Sequence, residues 1–106
     1  MTGGTPEPDP VIVTTTRLSI VALLAAAEEM EFAAVRDAVG LSDSALSKQA
    51  SALEAAGYVG VRKGYVGKRP RTWLKLTATG RRAFQAHVAA LNAIVARAGT
   101  SITDPR

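Results

Sequence analysis

The period of the apolar residues changes twice along the chain, and this change limits the folds that the chain can adopt. From residue 14 to residue 56, apolar side chains recur every three to four residues, which is the period of an α-helix. Residues 58–63 and 72–76 alternate between apolar and polar, as a β-strand does. The helical period then returns up to about residue 98. The sequence therefore predicts a mainly α-helical domain with one small β-hairpin.

Glycine and hydroxyl residues divide the helical stretches into separate helices. Ser42 is a typical N-cap, and Thr77 can cap the last helix in the same way. Gly40 suits the left-handed position that ends a helix. The predicted helices cover about 14–29, 33–39, 43–56 and 78–98, with a short extended piece at 30–32. Three helices followed by a hairpin can form a compact helix-turn-helix unit that the hairpin closes on one side.

The hairpin places apolar and aromatic side chains on opposite faces. Its predicted strands cover 58–63 and 72–76, and two glycines and a proline predict a loop over 64–71. In the second strand, Leu74 and Leu76 point to one face while Trp73 points to the other. Trp73 is therefore expected either to anchor an interface or to cover the N-terminal tail.

Length and composition set the outer limits of the domain. With 106 residues, the chain is expected to form one domain over 14–99, between a flexible N-terminal tail over 1–13 and a C-terminal tail over 100–106. Cysteine is absent, which excludes disulfides and thiolate metal sites. No apolar run approaches the roughly 20 residues that span a bilayer, and no secretory signal is recognisable. A cytoplasmic location is therefore expected.

Charge is distributed unevenly along the sequence. The net charge is +4, but residues 1–54 carry three basic and eight acidic side chains, whereas residues 55–106 carry ten basic and one acidic. Such a concentration of positive charge favours a polyanionic partner, either a nucleic acid or an anionic membrane surface. A solubilising surface is the alternative. Such a surface would explain a mild excess of positive charge. It does not readily explain nine basic residues over 55–103 without a single acidic residue.

The predicted third helix has a polar face of unusual composition. Its buried stripe consists of Leu46, Ala50 and Leu53, at spacings of four and three. The opposite face carries short hydroxyls and one lysine, with one amide on the flank: Ser44, Ser47, Lys48 and Ser51, and Gln49 beside them. Hydroxyls can reach phosphates or base edges, and Gln can pair bidentately with adenine. An ordinary surface helix is the alternative, but such helices usually carry Glu–Lys pairs that this face lacks.

Five basic residues crowd the predicted hairpin loop and its flanks: Arg62, Lys63, Lys68, Arg69 and Arg71. Glycines there allow a close approach to another surface. A basic hairpin of this kind can contact DNA phosphates or insert an arginine into a narrow minor groove. Protection of an exposed strand edge by positive charge is the alternative. It accounts for two or three basic residues and leaves the others unexplained.

Four short motifs occur in a characteristic order: GLSDSALS at 40–47, LEAAGYV at 53–59, GKRPRT at 67–72 and LTATG at 76–80. With these motifs, the sequence resembles short bacterial winged-helix transcriptional regulators of the broad MarR/ArsR-like type. The resemblance covers about Arg17 to Val95. It implies a winged helix-turn-helix fold of order α-α-α-β-β-α. It says little about the DNA sequence that is bound or the genes that are regulated.

The resemblance also implies where DNA is contacted. Helix 43–56 is expected in the major groove, and the wing over 62–72 on the backbone or in the minor groove. The implied contacts from the helix are Ser42, Ser44, Ala45, Ser47, Lys48, Gln49 and Ser51, and those from the wing are Arg62, Lys63, Lys68, Arg69 and Arg71. A homodimer would place two such helices on an inverted repeat. We expect a repressor, because no activation segment is visible.

The last helix supplies an independent argument for a homodimer. Its apolar stripe is wide enough to cover its own domain on one side and to meet a second chain on the other. The expected interface consists of Leu18, Val21, Phe84, Val88, Leu91, Ile94 and Val95. Complete use of this helix in its own core is the alternative. His87, the single histidine, is expected to be ordinary polar surface.

Two other functions remain open for a chain of this pattern. A winged helix can dock a protein instead of DNA, or bind nucleic acid without sequence preference. Duplex DNA is preferred over RNA, because no clear aromatic platform for stacking bases is present. Catalysis is not expected. The sequence has no cysteine, a single histidine, no phosphate-binding glycine loop and no paired carboxylates, and no cofactor is expected either.

Overall fold

A computed structural model describes residues 7–12 and 14–99 of the chain. It contains four helices and a small antiparallel sheet of three strands. The elements are α1 (Thr15–Ala25), β1 (Met30–Glu31), α2 (Phe32–Val39), α3 (Asp43–Ala55), β2 (Val59–Val66), β3 (Arg69–Leu76) and α4 (Ala78–Ala96). The predicted fold class, a mainly helical domain with a small hairpin, is confirmed. The short extended piece at 30–32 proves to be strand β1 followed by the start of α2.

Three helices begin at the hydroxyl caps that the sequence indicates. The side chains of Thr14, Ser42 and Thr77 each accept a hydrogen bond from the backbone N–H three residues later. Gly40 ends α2 in the left-handed conformation, with φ +72°. Helix α1 ends at Ala25, several residues before the predicted end near residue 29. It ends early because the following chain must extend to pair with β3.

The hairpin is longer than the sequence predicts. Strands β2 and β3 pair over all eight residues, from Val59–Leu76 to Val66–Arg69, and a two-residue turn joins them. The predicted loop over 64–71 is therefore wrong. The proline is tolerated because β1 pairs only with Trp73 and Leu74, which leaves β3 with a single neighbour at Pro70.

The sheet has the order β1–β3–β2, and its inner face lies against the helices. The core between them consists mainly of Ile20, Val21, Leu24, Val35, Leu46, Leu53, Val59, Leu74 and Leu76. Burial of each such side chain contributes roughly 1.5–3 kcal/mol of favourable free energy. On the outer face, Arg62 stacks over Trp73, with 4.0 Å from the guanidinium carbon to the ring centroid. Trp73 is thus covered by Arg62.

Residues 7–12 pack onto the domain instead of extending away from it. Ile12 is fully buried, and the Asp9 carboxylate accepts hydrogen bonds from the Tyr58 hydroxyl at 2.6 Å and from the Val11 N–H at 2.8 Å. The hydrogen bond to Asp9 raises the pKa of the Tyr58 phenol. The packed domain therefore extends before the predicted boundary at residue 14. The rest of the predicted tails, 1–6, 13 and 100–106, lies outside the described residues.

His87 is buried, with 1% of its surface exposed, so the prediction of ordinary polar surface is wrong. Its Nδ1 atom accepts a hydrogen bond from the Asp9 N–H at 2.9 Å. The buried position follows from the helix period, because His87 lies on the same face of α4 as Ala90 and Gly80. The partner could not be recognised from the sequence, because 78 residues separate it from His87.

We expect Gly80→Ala to destabilise the fold more than Gly60→Ala does. A Cβ at residue 80 would collide with the backbone carbonyl oxygen of Tyr58, which accepts the Thr77 N–H. The free energy of unfolding should fall by about 1–3 kcal/mol in urea denaturation. At residue 60 a Cβ would meet only the Lys75 side chain at 3.6 Å. This control should change the stability by less than about 1 kcal/mol. Equal denaturation midpoints for the two variants would contradict the close contact.

Candidate nucleic-acid interface

Helix α3 presents a surface of short polar side chains. Its apolar residues Leu46, Ala50 and Leu53 are buried, as the sequence predicts. Four polar residues on the other side are exposed: Ser44, Ser47, Lys48 and Ser51. Ala45 is half-buried, and the Ser42 hydroxyl accepts the Ala45 N–H at 3.1 Å as the helix cap. The exposed face can therefore approach a flat or grooved partner closely, because most of its side chains are short.

Gln49 differs from its exposed neighbours on α3. It is half-buried on the flank that faces α1, and its Oε1 atom accepts a hydrogen bond from the Nε atom of Arg17 at 2.8 Å. Arg17 also donates to the carbonyl oxygen of Val11 at 3.1 Å. The bidentate adenine contact predicted for Gln49 requires this same side-chain carbonyl. Sequence reasoning did not find the Arg17 contact, because the two residues are 32 positions apart.

Ion pairs of Arg36 orient α3 from its N-terminal end. Arg36 on α2 contacts Asp37 at 2.8 Å and Asp43, in the first turn of α3, at 2.7 Å. The hydrogen bond from the guanidinium lowers the pKa of Asp37, and the two carboxylates raise the pKa of Arg36. The negative charge of Asp43 in the first turn of α3 also interacts favourably with the positive end of the helix dipole. The turn between α2 and α3 is thereby fixed by charge as well as by the Gly40 conformation.

The wing is the hairpin formed by β2, β3 and their turn. At its tip, residues 65–70 are all exposed, and Tyr65 and Val66 are the largest apolar side chains there, at 73% and 57% exposure. Lys63, Lys68 and Arg69 are also exposed. The tip therefore combines positive charge with an aromatic ring on the most projecting part of the sheet.

Two of the five predicted basic residues, on the strands of the wing, form ion pairs with acidic residues around β1. Arg62 forms a bidentate contact with Glu29, at 3.0 and 2.8 Å, while its guanidinium stacks on Trp73. Arg71 contacts Glu31 at 2.7 Å. The hydrogen bonds from Arg62 lower the pKa of Glu29, and the carboxylate raises the pKa of Arg62. These pairs tie the wing to the segment around β1, so they orient it.

A cleft of about 360 Å³ separates α3 from the inner face of the wing. Its polar lining residues are Ser47, Ser51, Glu54, Lys63 and Thr72, and its apolar lining residues include Phe32, Val61 and Leu74. This cleft separates the exposed face of α3 from the wing tip. The two surfaces can therefore contact an extended partner at two separate positions.

The apolar stripe of α4 is only partly used within the chain. Val88, Leu91 and Val95 are half-buried and Ile94 is 43% exposed, whereas Phe84 packs against the core. Leu18 on α1 is half-buried. Val21 is fully buried in the core of its own chain, so it cannot serve as the interface residue that the sequence predicts. The surface open to a second chain is therefore the C-terminal half of α4.

The described residues, 7–12 and 14–99, contain neither a helix able to span a membrane nor a cluster of metal-ligating side chains. None of their helices has the length and hydropathy needed to cross a membrane. Within the same residues, no three His, Asp or Glu side chains lie close enough together to hold a metal ion.

Comparison with known proteins gives a family for most of the chain. The family model described as "Winged helix DNA-binding domain" matches residues 16–95. The uncharacterised protein MJ0432 of Methanocaldococcus jannaschii is 33% identical over 72 residues, which cover 68% of this chain and 78% of that protein. The matched region contains every element from β1 to β3 and all but one terminal residue of α1 and of α4.

Solved structures confirm the winged-helix fold. The transcriptional regulator homologue of Pyrococcus horikoshii has a TM-score of 0.79 and 22% identity, over 85% of this chain and 89% of that one. MOSR of M. tuberculosis, solved with DNA, has a TM-score of 0.68 and 23% identity, over 90% and 68%. A MarR-family regulator of Silicibacter pomeroyi has a TM-score of 0.62 and 22% identity, over 88% and 62%. The resemblance to MarR-like winged helices is confirmed at the level of the fold.

We expect Arg62→Gln to return the pKa of Glu29 to the ordinary range of a glutamate. Because folding lowers the pKa of Glu29, its ion pair with Arg62 stabilises the folded protein at pH values above the pKa of Glu29 in the unfolded chain. This stabilisation is lost as the pH falls through the pKa of Glu29 in the folded protein. A carbon-13 NMR titration of the carboxyl group measures the change. Lys63→Gln, which removes a cation from the same strand, is the control and should leave Glu29 unchanged. An unaltered pKa in Arg62→Gln would show that the bidentate contact is absent in solution.

Proposed function

We propose that this chain, which belongs to the winged helix DNA-binding domain family, is a transcriptional regulator that binds an inverted repeat in double-stranded DNA as a homodimer. The observation that carries the proposal is the exposed face of α3 beside a basic wing tip. The family is a DNA-binding one, and the chain is not an enzyme. The fold similarity to MOSR, which was solved with DNA, also supports a DNA partner.

Helix α3 is the proposed recognition helix. The major groove of DNA is about 12 Å wide and admits one α-helix, provided that its exposed side chains do not hold it away. Ser44, Ser47 and Ser51 meet this condition, and their hydroxyls can donate to or accept from base edges and phosphates. Lys48 adds one positive charge at the centre of this face. These four side chains are the base and phosphate contacts that we propose.

The wing tip is proposed to contact the DNA backbone. Lys68 and Arg69 at the tip are exposed and can neutralise phosphates, as can the exposed Lys63 on β2, and Arg69 can also enter a narrow minor groove. We propose that Arg62 and Arg71 orient the wing instead of making the direct DNA contacts that the sequence predicts. Their ion pairs with Glu29 and Glu31 hold the wing at a set angle to α3. The distance between α3 and the wing tip would then be set before DNA is bound, and both could contact the DNA without a rearrangement of the protein.

The proposed homodimer uses the C-terminal half of α4. Val88, Leu91, Ile94 and Val95 form an apolar stripe whose outer side no described residue of the chain covers, and a second copy can cover it by two-fold symmetry. Two recognition helices related by this symmetry would occupy two half-sites of an inverted repeat. We propose repression as the outcome, because a bound dimer blocks access to the DNA that it covers. We propose a cytoplasmic location, because the regulator must reach the DNA that it binds.

The experiment that tests the proposal is selection from a random-sequence pool of duplex DNA at two salt concentrations, with sizing of the bound species. Enrichment of an inverted repeat with two chains per site supports the proposal. Salt-dependent binding without enrichment indicates a non-specific nucleic-acid binder instead. If no duplex is bound even at low salt, the DNA proposal fails, and a protein partner for the winged helix becomes the hypothesis to test.

Replacement of Lys68 and Arg69 by alanine should weaken binding to every DNA sequence alike. Each phosphate contact that is lost should lower the slope of log affinity against log salt by about one unit. Fluorescence anisotropy with an enriched and a scrambled duplex measures both effects. The control is Arg97→Ala, an exposed cation beyond α4 and far from the wing in sequence. Salt slopes equal to that of the parent would contradict the role of the wing tip.

Ile94→Asp should separate the homodimer into monomers. A carboxylate in an apolar interface has no partner for its charge, so the dimer dissociation constant should rise by at least about tenfold. Analytical ultracentrifugation should then give the chain mass of 11.0 kDa instead of twice that value. Ala96→Asp is the control, because it adds the same charge two residues later, on the opposite side of α4. A monomeric parent protein, or an intact Ile94→Asp dimer, would refute the proposed interface.

A further inference from the structure

Arg17 forms hydrogen bonds to two separate parts of the chain. It lies in the first turn of α1, and its guanidinium donates from Nε to the Oε1 atom of Gln49 at 2.8 Å. The same guanidinium donates to the carbonyl oxygen of Val11 at 3.1 Å. One side chain therefore joins the N-terminal segment, residues 7–12, to the recognition helix α3.

This contact holds Gln49 back from the exposed face of α3. Lys48 and Ser47, beside it in sequence, are exposed, whereas Gln49 is half-buried on the flank toward α1. The bond has a charged donor, which makes it stronger than a bond between neutral groups. Bidentate recognition of adenine needs the carbonyl oxygen and the amide nitrogen of glutamine side by side on the base edge. With its oxygen turned toward Arg17, the carboxamide of Gln49 cannot present both.

The position of Arg17 depends in turn on the N-terminal segment. Its acceptor there, the Val11 carbonyl, belongs to a turn closed by the bond from the Val11 N–H to the Asp9 carboxylate. The other Asp9 oxygen accepts the Tyr58 hydroxyl, and the adjacent Ile12 side chain is fully buried. The acceptor is thus fixed by several independent contacts. A fixed acceptor keeps the guanidinium directed at Gln49.

We propose that Arg17 is a specificity-determining positioning residue that contacts no DNA itself. By withdrawing the carboxamide of Gln49, it removes an adenine-reading side chain from the recognition helix and leaves the serines and Lys48 to contact DNA. The inference rests on the proposed DNA-binding function. It differs from that function in assigning the base preference of α3 partly to a residue of α1.

Selection from a random duplex pool tests the inference with the parent, Arg17→Met, and the double variant Arg17→Met/Gln49→Ala. Methionine keeps most of the length of the side chain but donates no hydrogen bond. We expect Arg17→Met to gain a preference for adenine at one base pair in each half-site, by about tenfold, and the double variant to lose it. Gln49→Ala alone, in the presence of Arg17, should leave the selected sequence unchanged.

The outcomes separate this inference from the proposed function. A parent preference for adenine that disappears in Gln49→Ala would overturn the inference, because Gln49 would already read a base. An unchanged preference in Arg17→Met would overturn it as well. Failure of the parent to enrich any sequence would refute the specific DNA-binding function and, with it, any role of Arg17 in base preference.

A measurement without DNA tests the contact itself. The side-chain amide of Gln49 gives a pair of signals in a nitrogen-15 NMR spectrum, and Gln85, the other glutamine of the chain, provides an exposed reference. We expect Arg17→Met to shift the Gln49 signals and leave those of Gln85 in place. Asp9→Ala, which releases the acceptor turn, should shift them in the same direction. Unchanged Gln49 signals in Arg17→Met would overturn the inference whatever the result with DNA.

Discussion

Strand β3 hydrogen-bonds to a strand on each of its edges, and the rest of the arrangement depends on this double pairing. Its inner residues Leu74 and Leu76 lie in the core beneath the helices, and its partner β2 forms the second side of the wing. On the other edge, β1 covers only two residues, Trp73 and Leu74. This two-residue pairing brings Glu29 and Glu31 beside Arg62 and Arg71 of the wing. Without it, the hairpin would be joined to the helices on one side only.

The uneven charge of the sequence has two different consequences in three dimensions. Glu29 and Glu31, from the acidic half, neutralise Arg62 and Arg71, from the basic half. The side chains of these pairs are only partly buried, so the pairs contribute to orientation more than to stability. Of the remaining basic residues of the wing, Lys68 and Arg69 lie at its tip, whereas Lys63 and Lys75 lie along its strands. A count of basic residues along the chain therefore overstates the charge available to a polyanion.

Local signals in the sequence predicted the elements, and contacts between distant residues decided what the side chains do. The caps Ser42 and Thr77 and the left-handed Gly40 were all identified correctly, because each acts within four residues of itself. The exposed serines of α3 followed from helix periodicity alone. The partners of Gln49 and His87 could not be predicted, because no local rule relates residues that the fold brings together from 32 and 78 positions away.

The same distinction explains why a recognition surface is difficult to read from its own helix. Periodicity places Gln49 on the flank of α3, at the border between the buried and exposed faces, where the direction of a long side chain depends on its neighbours. Arg17 supplies that neighbour, and Arg17 is itself held by a segment whose prolines made it resemble a free tail. The direction of a side chain at such a border is therefore determined by residues outside its own helix. Under the proposal that α3 reads DNA, its base preference can therefore change through α1 or the N-terminal segment while every exposed residue of α3 stays the same.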